Sequence, residues 1–438
     1  MEEWFTEWVH LLSLGRTRSY ADAGAAALAV KDDPTAVEVH TCNKRSGYLS
    51  FSLNHVPEVS YLDLHWPYDP ASVPGRLCAL PYLLSVDENL LLFCIDQYPS
   101  DTDLFVYTAG SLPSVQRLPA CDKVIDGLAG RSNFLQMATD IGILRRGADE
   151  KDYVVADLAV SLKASVDMGF RKDSCCYDPE PMMAVLCTFA PKTWEWTVKE
   201  MRAPQPGGQD DFPILWSCDG VVPFAGRYLC WVDYYSGILI RDFSDEDSPC
   251  LISYVPFPVG GEQYSDATRV ERNCPESFRR VVVSQDMLHF IHIDDDYCQL
   301  VGGPYETITV WNLKMADNHN NWDVLHMVRL SDIWSGSLWS SNKLPHRRPE
   351  FPLMTKDDTN VLSCVLWEER DDGKAWLIML DMETVTLQRC IPYTTEEIKD
   401  GGVARLADVL SAHVEQPLIP SKFFKYTSSC RAYGTTIG

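Results

Sequence analysis

Three short apolar runs between residues 219 and 242 constrain this chain more than any other stretch. They are Gly220-Val221-Val222-Pro223-Phe224, Tyr228-Leu229-Cys230-Trp231-Val232-Asp233 and Ile238-Leu239-Ile240-Arg241-Asp242. Ala225-Gly226-Arg227 separates the first pair and Tyr235-Ser236-Gly237 the second. Runs of this length, rich in β-branched and aromatic residues and bounded by Gly-containing turns, read as antiparallel strands joined by hairpins. A fourth run, Leu251 to Phe257, follows the acidic loop Ser244-Asp245-Glu246-Asp247-Ser248. Four strands in about forty residues make one propeller-sized blade.

The rest of the chain repeats this unit. Strand runs fall at Val37–Cys42, Tyr48–Leu53 and Val59–His65, the last alternating apolar and polar as a half-buried strand should. A second unit covers Tyr82–Val86, Leu90–Ile95 and Leu104–Tyr107; a third Ile141–Leu144 and Tyr153–Val160; a fourth Met182–Phe189 and Trp194–Val198. The 219–257 stretch is the fifth. A sixth lies within residues 280–330 and a seventh within 351–391. Variable loops absorb the uneven spacing at small entropic cost. The expected fold is all-β, a single closed β-propeller of six or seven blades built from four-stranded antiparallel meanders. The alternative is two packed β domains meeting at the Pro- and Gly-containing stretch 203–211. On the propeller reading, residues 1–36 lead into the first sheet, 37–203 form the N-terminal half, 212–393 the C-terminal half, and 394–438 a tail. Residues 4–14 are compatible with strand or helix, Ala21–Val30 with a loop or short helix, and Glu396–Val414 has mild helical character.

Composition narrows the functional classes. The formal net charge is −24, so phosphate backbones repel the chain and a nucleic-acid partner is not expected. The short basic clusters Arg145-Arg146, Arg279-Arg280 and His346-Arg347-Arg348 read as solvated turns. The 15 cysteines lack any Cys-x-x-Cys pair, and most sit in apolar runs such as Leu92-Phe93-Cys94-Ile95. Free cysteine behaves there as a small hydrophobe, which fits a reducing compartment. Met1-Glu2-Glu3-Trp4 lacks the basic-then-apolar order of a signal peptide, and no apolar run is long enough for a membrane helix.

No catalytic signature stands out. His289 and His292, three apart in a strand, face opposite sides and cannot share a metal. Asp294-Asp295-Asp296 lacks calcium-loop spacing and reads as a solvated acidic hairpin. The glycine pairs belong to no phosphate-binding loop, and no Gly-x-Ser-x-Gly elbow occurs. Cys175-Cys176, in a polar loop, reads as plain loop. No cofactor or metal is expected. Trp231 and Asp233 have two readings: lining a ligand groove, or packing between sheets (Trp231) while accepting backbone hydrogen bonds in the Tyr234–Gly237 turn (Asp233). The second is preferred.

These same residues carry a resemblance. Asp219 to Pro223, Leu229-Cys230-Trp231-Val232-Asp233, Gly237-Ile238-Leu239 and Tyr254-Val255-Pro256-Phe257-Pro258 resemble the core of the plant domain-of-unknown-function family numbered 1618, which is expanded in grasses. The similarity reaches back to Pro57–Tyr61 and Leu104–Tyr107, and forward to Trp311–Leu313, Leu330–Trp334 and Phe351–Leu353, covering about residues 8–393. It implies a plant protein, cytoplasmic or nuclear, and supplies no activity or catalytic residue. Asp219, Pro223, Trp231, Asp233, Gly237 and Pro256 are therefore expected to be structural. The function expected is a non-catalytic protein-interaction scaffold whose partners the sequence does not name. The alternatives are a small-ligand binder or a hydrolase with loop-borne residues.

Overall fold

The computed structural model describes residues 8–422 except 55, 68–78, 97–101, 122–139, 148, 150, 163–181, 205–211, 214–215, 245–251, 260–274, 295–305, 316–319, 370–373 and 395–417. The expected helical stretch Glu396–Val414, the pair Cys175-Cys176, and Asp295 and Asp296 lie largely or wholly outside these residues. The fold class is an all-β, six-bladed propeller.

Five of the six sheets are four-stranded meanders in sequence order. The first holds β6 (Leu80–Asp87), β7 (Leu90–Asp96), β8 (Asp103–Thr108) and β9 (Ser114–Arg117). The second holds β10 (Ile141–Arg145), β11 (Tyr153–Leu162), β12 (Met182–Ala190) and β13 (Glu195–Arg202); the third β14 (Gly220–Phe224), β15 (Tyr228–Asp233), β16 (Gly237–Asp242) and β17 (Ile252–Pro256). The fourth holds β18 (Arg279–Ser284), β19 (Met287–Ile293), β20 (Thr307–Lys314) and β21 (Asn321–Arg329); the fifth β22 (Glu350–Met354), β23 (Val361–Glu369), β24 (Lys374–Asp381) and β25 (Thr386–Thr394).

The remaining sheet is built differently. Strands β3 (Val37–His40), β4 (Ser46–Ser52) and β5 (Val59–Pro67) form an antiparallel meander. Along the free edge of β5 run β1 (Trp8–Leu12) and then β2 (Arg16–Tyr20), both parallel to it, and β26 (Leu418–Lys422) pairs antiparallel with β1. The ambiguous N-terminal run is thus a strand, and the Ala-rich segment forms helix α1 (Ala23–Ala29), capped by the Asp22 carboxylate on the Ala25 N–H. Two single-turn helices, α2 (Leu330–Trp334) and α3 (Ser337–Ser341), follow β21.

Six blades, not seven, follow because the third and fourth sequence units are one sheet. Val155 pairs with Phe189 and Leu158 with Leu186; the long connection between β11 and β12 hid that pairing. The chain divides into two compact units, one of Met1–Leu118 with Cys274–Gly438 and the other of Pro119–Asn273. Neither unit begins or ends at residues 203–211. Ala203 and Phe212, at either end of that stretch, share one core with Leu158, Leu186, Leu229, Trp231 and Leu239. In the first unit, Val59 and Tyr61 of β5 share a core with Ile291, Val310, Leu353, Leu366 and Ile378, so the N-terminal sheet packs against the last one. Arg389 of β25 also donates to the Val56 carbonyl at 3.0 Å.

Candidate functional site

The sequence motif occupies the β14–β17 sheet, and its Trp and two Asp side chains each have a local hydrogen-bond partner. Trp231 is fully buried, and its indole N–H donates to the Asp140 carbonyl at 2.8 Å. Neighbouring Cys230 and Val232, on the other face of β15, are also fully buried. Asp233 is 1% exposed; its carboxylate accepts from the Tyr235 N–H at 3.0 Å and the Ser217 N–H at 3.1 Å. Asp219 accepts from the Tyr234 N–H at 2.8 Å. The two acids thus hold the β15–β16 turn from inside.

Gly237 opens β16 where a Cβ would collide with the Val255 carbonyl oxygen and lie 2.9 Å from Pro256 Cα. Pro223 and Pro256 sit on β14 and β17, the two outer strands of the sheet, where a missing N–H breaks no central ladder. Ala225 and Gly226, both at positive φ, make the tight β14–β15 turn.

The β18–β21 sheet carries the histidines. His289 and His292 are both buried. His289 Nε2 lies 3.1 Å from the Ser284 carbonyl and donates to it, which leaves the lone pair on Nδ1. That Nδ1 is buried without a hydrogen-bond partner, as are Asn312 Oδ1 and His326 Nε2. His289 pairs with Asn312 across the sheet, so both side chains share a face. Burial pushes the His289 pKa down, against the Ser284 carbonyl and Asn312 that raise it. His292 is lowered to about 3 by burial, reinforced by Arg279 and Arg348. It is therefore neutral near pH 7, and its 3.6 Å approach to Asp294 is dipolar rather than ionic. Among the described residues no group of three or more His, Cys, Asp or Glu could hold a metal ion.

Several polar residues read as solvated are built into the fold. Asp294 accepts from both the N–H and the hydroxyl of Thr307, at 2.9 and 2.8 Å, tying the end of β19 to the start of β20. Arg279 is buried in β18. Arg348 lies over the Phe278 ring at 4.1 Å and donates to the Asp294 carbonyl at 3.1 Å. His346 stacks on Trp334.

Sequence reasoning missed one polar cluster altogether. β5 is buried on both faces through Trp66, so its polar residues Asp63 and His65 are inside as well. Arg16 grips Asp63 through Nε and Nη2, both at 2.8 Å, and Ser52 donates to the same carboxylate at 2.5 Å. Burial pushes the Asp63 carboxyl up, but Arg16, Ser52 and Arg18 outweigh it and hold the group below its usual range. His65 bridges Ser50 Oγ and the Tyr20 hydroxyl, each at 2.9 Å. A hydroxyl beside an imidazole is nucleophile geometry, yet Ser50 is 3% exposed and His65 6%, so no substrate reaches Oγ without opening the sheet. The cluster fastens β2 and β4 to β5. Its one sequence signal was acid and imidazole two apart in β5, facing Ser50 and Ser52 two apart in β4.

The architecture defines the molecule as a β-propeller-class protein with a closed, internally bonded motif sheet. Residues 231–363, from Trp231 in β15 to Ser363 in β23, match the model of the family described as "Protein of unknown function (DUF1618)". No curated protein sequence matches the chain. Among solved structures it aligns over 87% of its length with 73% of AztD from Citrobacter koseri, at 8% identity and a TM-score of 0.31. It also aligns over 87% of its length with 74% of Sqt1 from Chaetomium thermophilum, at 9% identity and a TM-score of 0.32.

Proposed function

We propose that the chain is a non-catalytic scaffold, a plant protein of the cytosol or nucleus, that holds a protein partner on β21. The observation behind this reading is the outer edge of the β18–β21 sheet. Val324 and Met327 of β21 are 55% and 62% exposed. A bulge at Leu325, where the pairing shifts from Trp311–Val324 to Val310–His326, turns both onto one face. Of the eight large hydrophobic side chains exposed among the described residues, four lie on or beside this sheet: Met287, Met315, Val324 and Met327.

The outer strands of other blades look different. β9 exposes Ser114, Gln116 and Arg117; β13 exposes Glu195, Thr197, Lys199, Glu200 and Arg202; β25 exposes Thr386, Gln388 and Arg389. Polar edges discourage strand addition; β21 exposes Asn321 and Arg329 at its ends but two large apolar side chains between them. As the terminal strand of its sheet it can accept an extended segment by backbone pairing, with its exposed methionine and valine taking alternate apolar side chains. The net charge of −24 favours a basic segment through long-range steering.

A photo-crosslinking residue in place of Met327 in the full chain tests this. Adducts with a basic partner are expected there, weakening as salt rises, and absent when the same probe replaces the exposed Leu28. Equal labelling at both positions, or turnover abolished by a single loop-carboxylate substitution, overturns it. The small-ligand alternative has one observation behind it, the cluster of buried polar ring and amide atoms at His289, Asn312 and His326. A compound whose stabilisation of the parent chain vanishes in His326→Phe would establish it.

A further inference from the structure

None of the eight described cysteines is in a disulfide. Burial pushes the thiols of Cys94 and Cys230 up to about 12 and raises those of Cys218 and Cys364 as well, so these four stay protonated and inert. Cys121 and Cys187 are different: their Sγ atoms lie 3.7 Å apart, although 66 residues separate them in sequence.

Their settings complement each other. Cys187 lies in the middle of β12, between Asp157 of β11 and Val198 of β13, and is 1% exposed. Cys121 is half-buried and sits in irregular backbone just beyond β9, two residues after Pro119, the first residue of the second compact unit. That segment is already docked on the same sheet face, because the Trp196 indole donates to the Pro119 carbonyl at 2.8 Å. Trp196 pairs with Phe189 and Val198 with Cys187, which puts all four on one face. A disulfide forms at about 2.05 Å, so the sulfurs must close by roughly 1.7 Å. Side-chain rotation and the irregular segment can supply that without moving the central strand.

We propose that Cys121 and Cys187 form a dithiol site that reacts reversibly with two-electron oxidants of the small-disulfide or peroxide class, tethering the start of the second unit to β12. With glutathione disulfide, the half-exposed Cys121 thiolate attacks one sulfur and expels a glutathione thiolate. Cys187, losing its proton, then attacks the Cys121 sulfur and expels the second glutathione. Two thiols are oxidised, one disulfide is reduced, and the two protons leave on the two glutathione thiols. With a peroxide, Cys121 becomes a sulfenic acid and Cys187 displaces its oxygen as water.

The full chain, reduced and then exposed to glutathione disulfide, should be quenched with N-ethylmaleimide and mapped without reduction. The expected product is a linked peptide pair joining Cys121 to Cys187, about 2 Da lighter than the two thiol peptides together. Dithiothreitol should reverse it, Cys121→Ser should abolish it, and Cys42→Ser should leave it intact. Cys121→Ser lies outside the strands, so it tests the site without touching the core. Glutathione retained on Cys121 while Cys187 still captures maleimide would overturn the proposal. So would a bond from either residue to a different cysteine.

Discussion

The β14–β17 and β18–β21 sheets have the same four-stranded plan and opposite chemical character. In the first, the conspicuous residues are closed on themselves: the Trp231 indole on the Asp140 carbonyl, Asp233 on Tyr235 and Ser217, Asp219 on Tyr234. In the second, buried ring and amide atoms of His289, Asn312 and His326 have no partner, and the outer strand shows water two large apolar side chains. The contrast is between a stretch whose conspicuous polar groups are bonded within their own neighbourhood and a sheet that leaves buried polar atoms and apolar surface unmatched.

Substituting Trp231 by Ala should produce the largest effect. It empties a fully buried site and leaves a carbonyl short of a donor, for a loss of about 3–5 kcal/mol. That is a large share of a domain's net stability of roughly 5–15 kcal/mol, so Trp231→Ala should be poorly soluble and Trp231→Phe folded with a lowered Tm. Denaturant unfolding measures both. An unchanged midpoint for Trp231→Ala would break the contrast at its first term.

Acid should separate the two sheets. His292 has a folded pKa of about 3, below its ordinary 6.5. Its neutral form is the folded one, so the stability it carries is complete above about pH 6.5 and is lost as the pH falls toward 3. At pH 5 the loss is about 2 kcal/mol, and His289 shifts in the same direction. The β14–β17 stretch, residues 219–257, contains no histidine. Hydrogen exchange at pH 5, corrected for intrinsic rate, should therefore accelerate in β19 and β20 before β15 and β16. Uniform acceleration would contradict that order.

Gly237→Ala forces a methyl against the Val255 carbonyl and Pro256, and should cost about 1–3 kcal/mol. The smallest stability change is expected at the β21 surface. Val324→Lys with Met327→Lys should stay within about 0.5 kcal/mol of the parent in thermal unfolding, because both side chains are already largely solvated.

Strand content was legible because hairpin contacts are local: an apolar run, a Gly-containing turn and a second run specify β14–β17 within a few residues. What was not legible depends on distant partners. Arg16 and Asp63 are 47 residues apart, so neither announces that the pair will be buried. The parallel docking of β1 and β2 on β5 has no turn to mark it. The β11–β12 connection concealed one blade's continuity and made six units look like seven. The Leu325 bulge, which brings Val324 and Met327 to one face, adds a residue to β21 without any Gly or Pro to signal it. Asp233 was legible as a turn acceptor from its place two residues before Tyr235, whose N–H its carboxylate accepts.

The most direct test of the central contrast compares partner retention and Tm in the parent chain, in Trp231→Phe and in Val324→Lys/Met327→Lys, using the partner identified by crosslinking at position 327. The account predicts that Trp231→Phe keeps the partner with a lowered Tm, while the β21 double variant loses it with Tm unchanged. Loss of the partner in Trp231→Phe at unchanged Tm, with full retention in the β21 variant, would contradict it.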